Sequence, residues 1–244
     1  MPERVRKIRE RTPARLFMGR AGTSYRTSTQ IVLREAHARA RDAVRDELDM
    51  ARDFGALFIG QWDLFEVSSR AANKDEYLLR PDLGRTLSQP ARSEVVRRCL
   101  VNADLQITIG DGLSVTAVRA QVPNLLPLLS EGAKQRGWSV GRPFVVRHCR
   151  VGVLNEIGEL LKPKVAVLLI GERPGLATAE SLSAYMAYEP TKSHTDRDRN
   201  LISNIHARGV RTNEGAGRIL ELAAQMMLAG TSGYTLRELP LGLE

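Results

Sequence analysis

A chain of 244 residues is long enough to bury one large core, or a sizeable α/β core with a smaller appendage. Its 36 Lys and Arg against 28 Asp and Glu give a formal charge of +8, which suits a phosphate-bearing or acidic partner; with only 5% aromatic residues and no recognition motif, nucleic acid is not expected among its partners. Cys99 and Cys149 stand far apart with no second pair, no signal-peptide pattern opens the sequence, and no apolar run approaches the ~18 residues of a membrane span, so the expectation is a cytoplasmic protein with no membrane contact.

Residues 1–27 carry dense basic charge without a sustained hydrophobic period, the pattern of an arm that orders against a partner. Residues 28–101 read as a helical region. In it TSTQIVLREAHARARDAVRDELDMARDF, with Ile31, Ala38, Val44 and Leu48 near helical spacing, predicts one long helix. ALFIGQWDLFEVSS fits a strand or a short helix, RPDLGRTLS has the residues of a structured turn, and a further helix is expected over 93–101. Residues 102–244 form the α/β domain. DLQITIGDGLS, RPFVVRHCRV, KPKVAVLLIGERPG and NLISNIHARG read as strands ending in polar or glycine-containing turns, and VTAVRAQVPNLLPLLSEGAKQRG, TAESLSAYMAY and NEGAGRILELAAQMMLAG read as helices. The alternation predicts an α/β fold: a Rossmann-like, mostly parallel sheet with helices on both faces, preceded by the basic arm and the smaller helical region. The turns leaving such strands gather at one edge, which makes 110–114, 148–151, 171–175 and 204–209 the candidate ligand positions.

Gly110 and Gly112 in IGDGLS have G-x-G spacing, but Val115 stands where a dinucleotide fingerprint needs glycine or alanine; a tight turn with Ser114 capping a helix and a direct phosphate role both remain open. GxxxxGK[ST], HExxH and GxSxG are absent, so no catalytic residue is assigned to this chain. In GERPGLATAESLSAYMAY a buried strand delivers Glu172 and Arg173 to the sheet edge, Pro174 and Gly175 fix a turn, and Thr178 is placed to cap the helix expected next. Glu172 either pairs locally with Arg173 or accepts hydrogen bonds from a ligand's amide groups. The four histidines show no ligand spacing, so no metal site is expected; His148, alternating with Val146, fits a core or edge position, and Ser203 with Asn204 breaks strand alternation where a turn should begin.

In order and spacing, TPARLFMGRAGTSYRT, YLLRPDLGR, DLQITIGDGLS, RPFVVRHCRVGVLNEIGELL, VLLIGERPGLATAESLSAYMAY and DRNLISNIH resemble the small subunit of ethanolamine ammonia-lyase over nearly the whole chain. The resemblance implies a subunit of an adenosylcobalamin-dependent lyase that converts ethanolamine to acetaldehyde and ammonia, with cobalamin at the interface with a large barrel subunit that carries the substrate site. It places cofactor contacts at the valine of CRVGV, the glutamate of GERPG and the residue before ISNIH, which here are Val151, Glu172 and Leu201. Relatives commonly read YGRV where this chain has His148 and Cys149, and often cysteine where it has Leu201; a backbone contact survives either change, a thiol contact at 201 does not. The chain lacks D-x-H-x-x-G, by which another cobalamin class supplies a histidine to cobalt, so the base-on form with no cobalt ligand from this chain is expected. Some relatives carry a longer leader, so the expected location is the cytoplasm, with a bacterial microcompartment as the alternative. The competing readings are a self-contained nucleotide-dependent α/β transferase and a basic scaffold for nucleic acid or an acidic partner.

Overall fold

The computed structural model describes residues 3–10, 16–175 and 178–238. An exposed helix α1 (Glu3–Glu10) is followed by a small ribbon, β1 (Arg20–Ala21) and β2 (Ser24–Tyr25), then by α2 (Thr27–Arg45), α3 (Met50–Trp62), β3 (Phe65–Ser68), α4 (Lys74–Leu79), a 3-10 turn (Leu83–Arg85) and α5 (Gln89–Arg98). The remainder runs β4 (Leu105–Gly110), α6 (Val115–Gln135), β5 (Phe144–Arg147), α7 (Val153–Leu161), β6 (Val165–Gly171), β7 (Leu182–Tyr188), a 3-10 turn (Asp196–Asp198), β8 (Asn200–Ile205) and α8 (Thr212–Ala229). Of the arm expected over 1–27, residues 1, 2 and 11–15 lie outside the described residues.

Strands β3 to β8 form one six-stranded sheet in the order β3-β5-β4-β6-β7-β8. Each residue of β4 and β6 is buried, as expected for central strands covered on both faces. One face packs Ile107, Ile109, Val167 and Leu169 against α6, α8 and the apolar side of α3; the other packs Val146, Leu168 and Ile170 against α5 and α7. The α/β class and the helices on both faces therefore match the sequence reading. The sheet itself is mixed, because β3, β5, β4 and β6 are parallel neighbours whereas β6-β7 and β7-β8 are antiparallel.

Three local expectations are corrected. The segment expected to be a helix in TAESLSAYMAY is β7: its Ala, Leu and Met favour a helix in isolation, but Leu182, Ala184 and Met186 alternate into the α6–α8 core while the strand fills the place between β6 and β8, and tertiary packing overrides propensity. Thr178 accordingly caps no helix; its hydroxyl accepts a hydrogen bond from Glu180 N at 3.0 Å in a bend. The single long helix expected from residue 28 is broken at 46–49, where the Asp49 side chain accepts from Arg52 N and Asp53 accepts from Asp49 N, both at 2.9 Å, so that a new helix starts. Asp53 is then held between Arg52 and Arg119, which ties α3 to α6.

Asp104, at the foot of β4, accepts from Lys164 Nζ at 2.7 Å, Ser139 N at 2.8 Å and Ser139 Oγ at 2.7 Å, clasping the starts of β4 and β6. The Lys164 ammonium, then the two Ser139 donors, hold its carboxyl down at about 2. A depressed folded pKa stabilises the fold above the ordinary carboxylate range and ceases to do so as pH falls through the folded value. Asp104→Asn is expected to lower stability at neutral pH by about 1–2 kcal/mol after allowance for solvent screening, with the difference from wild type vanishing as pH drops from about 4 to about 2. Urea unfolding across that range measures it.

Candidate functional site

The parallel strands β5, β4 and β6 deliver residues 148–151, 111–114 and 171–175 to one edge. Two antiparallel steps restore the direction, so β8 also ends there, with Ile205 opposite Leu182 and Leu182 opposite Gly171. All four turns selected from the sequence share this edge, although the segment joining β6 to β8 is a strand rather than a helix.

The edge has two parts. Between β4 and β5, the buried Asp111 carboxylate accepts from His148 N at 2.8 Å and Cys149 N at 2.9 Å. His148 takes a φ of +55° there, and its Nδ1 lies 3.3 Å from Ala71 O. The 28–101 region braces this turn: Tyr77 Oη donates to Cys149 O at 2.9 Å, and buried Lys74 donates to Gly112 O at 3.3 Å. Desolvation pulls the Lys74 ammonium pKa down and pushes the Cys149 thiol up. In the IGDGLS turn, Gly112 has a φ of +57° and a Cβ there would stand 2.3 Å from Gly171 O, while Leu113 N donates to Gly171 O at 3.0 Å. Ser114 accepts from Ala117 N and caps α6. The glycines thus serve close packing of β4 on β6, and the turn's groups are committed within the protein; of the two sequence readings, the helix-capping turn is the one formed.

Between β6 and β8 the arrangement is open. Glu172 is half-buried, and its Oε1 accepts from Tyr185 Oη at 3.1 Å. Arg173 forms no ion pair with it; among the described residues Tyr185 is the only side chain bonded to this carboxylate, which leaves Oε2 available. Burial first, then Glu172, pushes the Tyr185 phenol up to about 12, so it remains a donor at neutral pH. Tyr185 stands opposite Leu201 in the β7-β8 ladder, so both side chains leave the same face, and Leu201 is 45% exposed. Val151 packs against the α5–α7 core on that face. The structure therefore joins Glu172 and Leu201 through Tyr185 and sets Val151 on the same side. Tyr185 was missed from sequence because its segment read as a helix; the signal for it was the alternation of Leu182, Ala184 and Met186 with Ser183 and Tyr185.

This face offers a carboxylate acceptor fixed by a phenol beside exposed aliphatic surface, a set able to accept a hydrogen bond from a ligand and to give it apolar contact. Among the described residues no group of three or more His, Cys, Asp or Glu is placed to hold a metal, and no helix is long and apolar enough to cross a membrane. Because Asp111 satisfies two consecutive buried amides, Asp111→Ala is expected to cost about 2–5 kcal/mol by leaving both without acceptors. Chemical denaturation is the measurement, and a loss below about 1 kcal/mol would reduce the clasp to a minor contact.

Over residues 2–237 the sequence matches the family described as ethanolamine ammonia-lyase light chain (EutC). The ethanolamine ammonia-lyase small subunit of Fusobacterium nucleatum is 40% identical over 235 residues, covering 96% of this chain and 78% of that protein. That of Clostridium acetobutylicum is 39% identical over 235 residues, covering 96% and 95%, and that of Clostridioides difficile 40% over 230 residues, covering 94% and 76%.

Proposed function

The chain belongs to the family of ethanolamine ammonia-lyase small subunits, and from that premise we propose that it caps adenosylcobalamin at an interface with a large, substrate-binding subunit. It is a subunit of a carbon–nitrogen lyase. The observation that carries the cofactor reading is the open face on which Glu172, positioned by Tyr185, adjoins exposed Leu201.

Bound adenosylcobalamin supplies a cobalt–carbon bond that can break homolytically, and the protein's share is to bind, orient and shield it. Glu172 accepts a hydrogen bond from a corrin amide through Oε2 while Oε1 stays with Tyr185. Leu201 and Val151 give apolar or backbone contact, and the change from cysteine to leucine at 201 costs nothing if that contact is made by the main chain or the aliphatic surface. The cofactor would be held base-on, with no cobalt ligand from this chain, which lacks D-x-H-x-x-G. In this reading residues 102–244 hold the three contacts, 28–101 brace their edge through Lys74 and Tyr77, and the basic segment 1–27 meets the large subunit. The assembly works in the cytoplasm or in a bacterial microcompartment.

Two outcomes are expected. The isolated chain should show no cobalamin-dependent turnover of ethanolamine and gain it only on adding a large subunit; turnover by the pure small subunit contradicts this. In the assembled complex Glu172→Ala should remove a charge-assisted contact worth about 1.5–3 kcal/mol, a roughly ten- to hundredfold loss of cobalamin affinity, with thermal unfolding little changed. Unchanged affinity in a stable, assembled variant removes Glu172 from the site.

A further inference from the structure

On the α5–α7 face, the side of the sheet that carries Tyr185, lies a cleft of about 420 Å³ between the 3-10 turn at Arg85 and Thr86, the start of α7 at Gly152 and Asn155, and the segment carrying His194 and Arg199. Its walls continue into the proposed contacts: Gly152 follows Val151 in the chain, and Arg199 stands two positions before Leu201. The proximity also registers electrostatically, since Asp196 and Arg199 both act on the Tyr185 phenol.

Three residues of this cleft each hold a buried polar atom without a hydrogen-bond partner among the described residues: Thr86 Oγ1, His194 Nδ1 and Arg199 Nε. Buried polar groups in folded proteins are almost always satisfied, so three around one recess point to a ligand. The Arg199 side chain is only 4% exposed and is fixed at both ends of its fork, with Nη2 donating to Asn155 Oδ1 at 2.7 Å and Nη1 paired with Asp196. The other carboxylate in the lining, Glu156, is committed to Arg92 Nη1 at 2.8 Å and to Leu87 N at 2.5 Å. Arg85 and Lys192 form no ion pair with any described residue, and both line the cleft. The stem of Arg85 lies on Gly152, where a Cβ would stand 2.9 Å from its Cγ, so the missing side chain is what lets the arginine reach over the start of α7. With both carboxylates matched by arginines, the cleft keeps two uncompensated cations beside hydroxyl and imidazole groups, the surroundings that recognise a phosphate ester.

We infer that this cleft is the subsite for a phosphate-ester anion carried by the ligand that Glu172 contacts, with Arg85 and Lys192 supplying the charge and Arg199 and Thr86 supplying oriented donors. The inference rests on the cobalamin reading above, in which the only anion of that kind is the phosphodiester of the cofactor's nucleotide loop. No bond forms or breaks; the role is binding and orientation.

The test uses the complex assembled with a large subunit and two corrinoid probes: cyanocobalamin, which carries the phosphodiester, and cobinamide, which lacks it. Arg85→Gln and Lys192→Gln alter exposed side chains, so the assembly should persist. Each should weaken cyanocobalamin about tenfold, with the effect shrinking at high salt, and leave cobinamide unchanged. Equal losses on both probes, or none on either, overturn the inference. Titration with inorganic phosphate separates the remaining source: if either variant abolishes phosphate binding while cyanocobalamin affinity holds, the cleft serves a free phosphate and the inference also fails. Glu172→Ala, run in parallel, should weaken both corrinoids alike; its failure to do so counts against the corrin contact and leaves the phosphate result to be judged by itself.

Discussion

A single buried carboxylate organises the functional edge. Asp111 ends β4 with 1% of its surface exposed and accepts two successive amides from the end of β5. To present both amides to one anion, the chain at His148 must adopt a left-handed turn, and the Cys149 carbonyl is then aimed at Tyr77. That turn sets the direction in which Arg150, Val151 and Gly152 leave the sheet and so where α7 begins. In nucleotide-binding α/β folds an external phosphate occupies the comparable place at the mouth of the strands. Here the anion is part of the protein, and the proposed ligand face lies to one side, at the next pair of strands.

The mixed sheet gives its two parts different surroundings. The central parallel strands β4 and β6 are covered on both faces, where no side chain of theirs is free to meet a large ligand. The antiparallel pair β7 and β8 extends that core on the α6–α8 side, through Leu182, Ala184, Met186, Ile202 and Ile205, while its other face carries Tyr185 and the exposed Leu201. Glu172 stands where the two regimes meet, with its main chain continuing β6 and its carboxylate held by β7. The rigidity of the parallel part is thereby passed to an acceptor that faces open surface.

Much of this was legible in the sequence, for identifiable reasons. The apolar runs of β4 and β6, the 21-residue α6 and the 18-residue α8 carry strong periodic or continuous hydrophobic signals, and the polar turns after the strands could be assigned to one edge from topology alone. The placement of Glu172 at the sheet edge was legible because a buried strand and a Pro-Gly turn fix it. The partners of these residues were not. Tyr185 was hidden in a segment of helix-forming residues, the clasp of Asp111 depends on a contact 37 positions away, and Arg85 and Arg199 meet only because the 3-10 turn and α7 pack together. Such long-range polar contacts leave no periodic trace.

The β7-β8 ladder contains one irregularity: Leu182 faces Ile205 and Ala184 faces Ile202, so two steps on β7 are matched by three on β8. The extra residue lets Ile202 and Ile205, an odd number of positions apart, both enter the core, while Leu201 keeps the opposite side. Removing one residue at 203 or 204 would leave two steps on each strand, a regular ladder in which both isoleucines still enter the core and Leu201 keeps the opposite side. This strand can thus lose a residue at its bulge without exchanging its faces, whereas composition is bound at Asn204, whose φ of +62° and bond to His206 suit asparagine and few other residues.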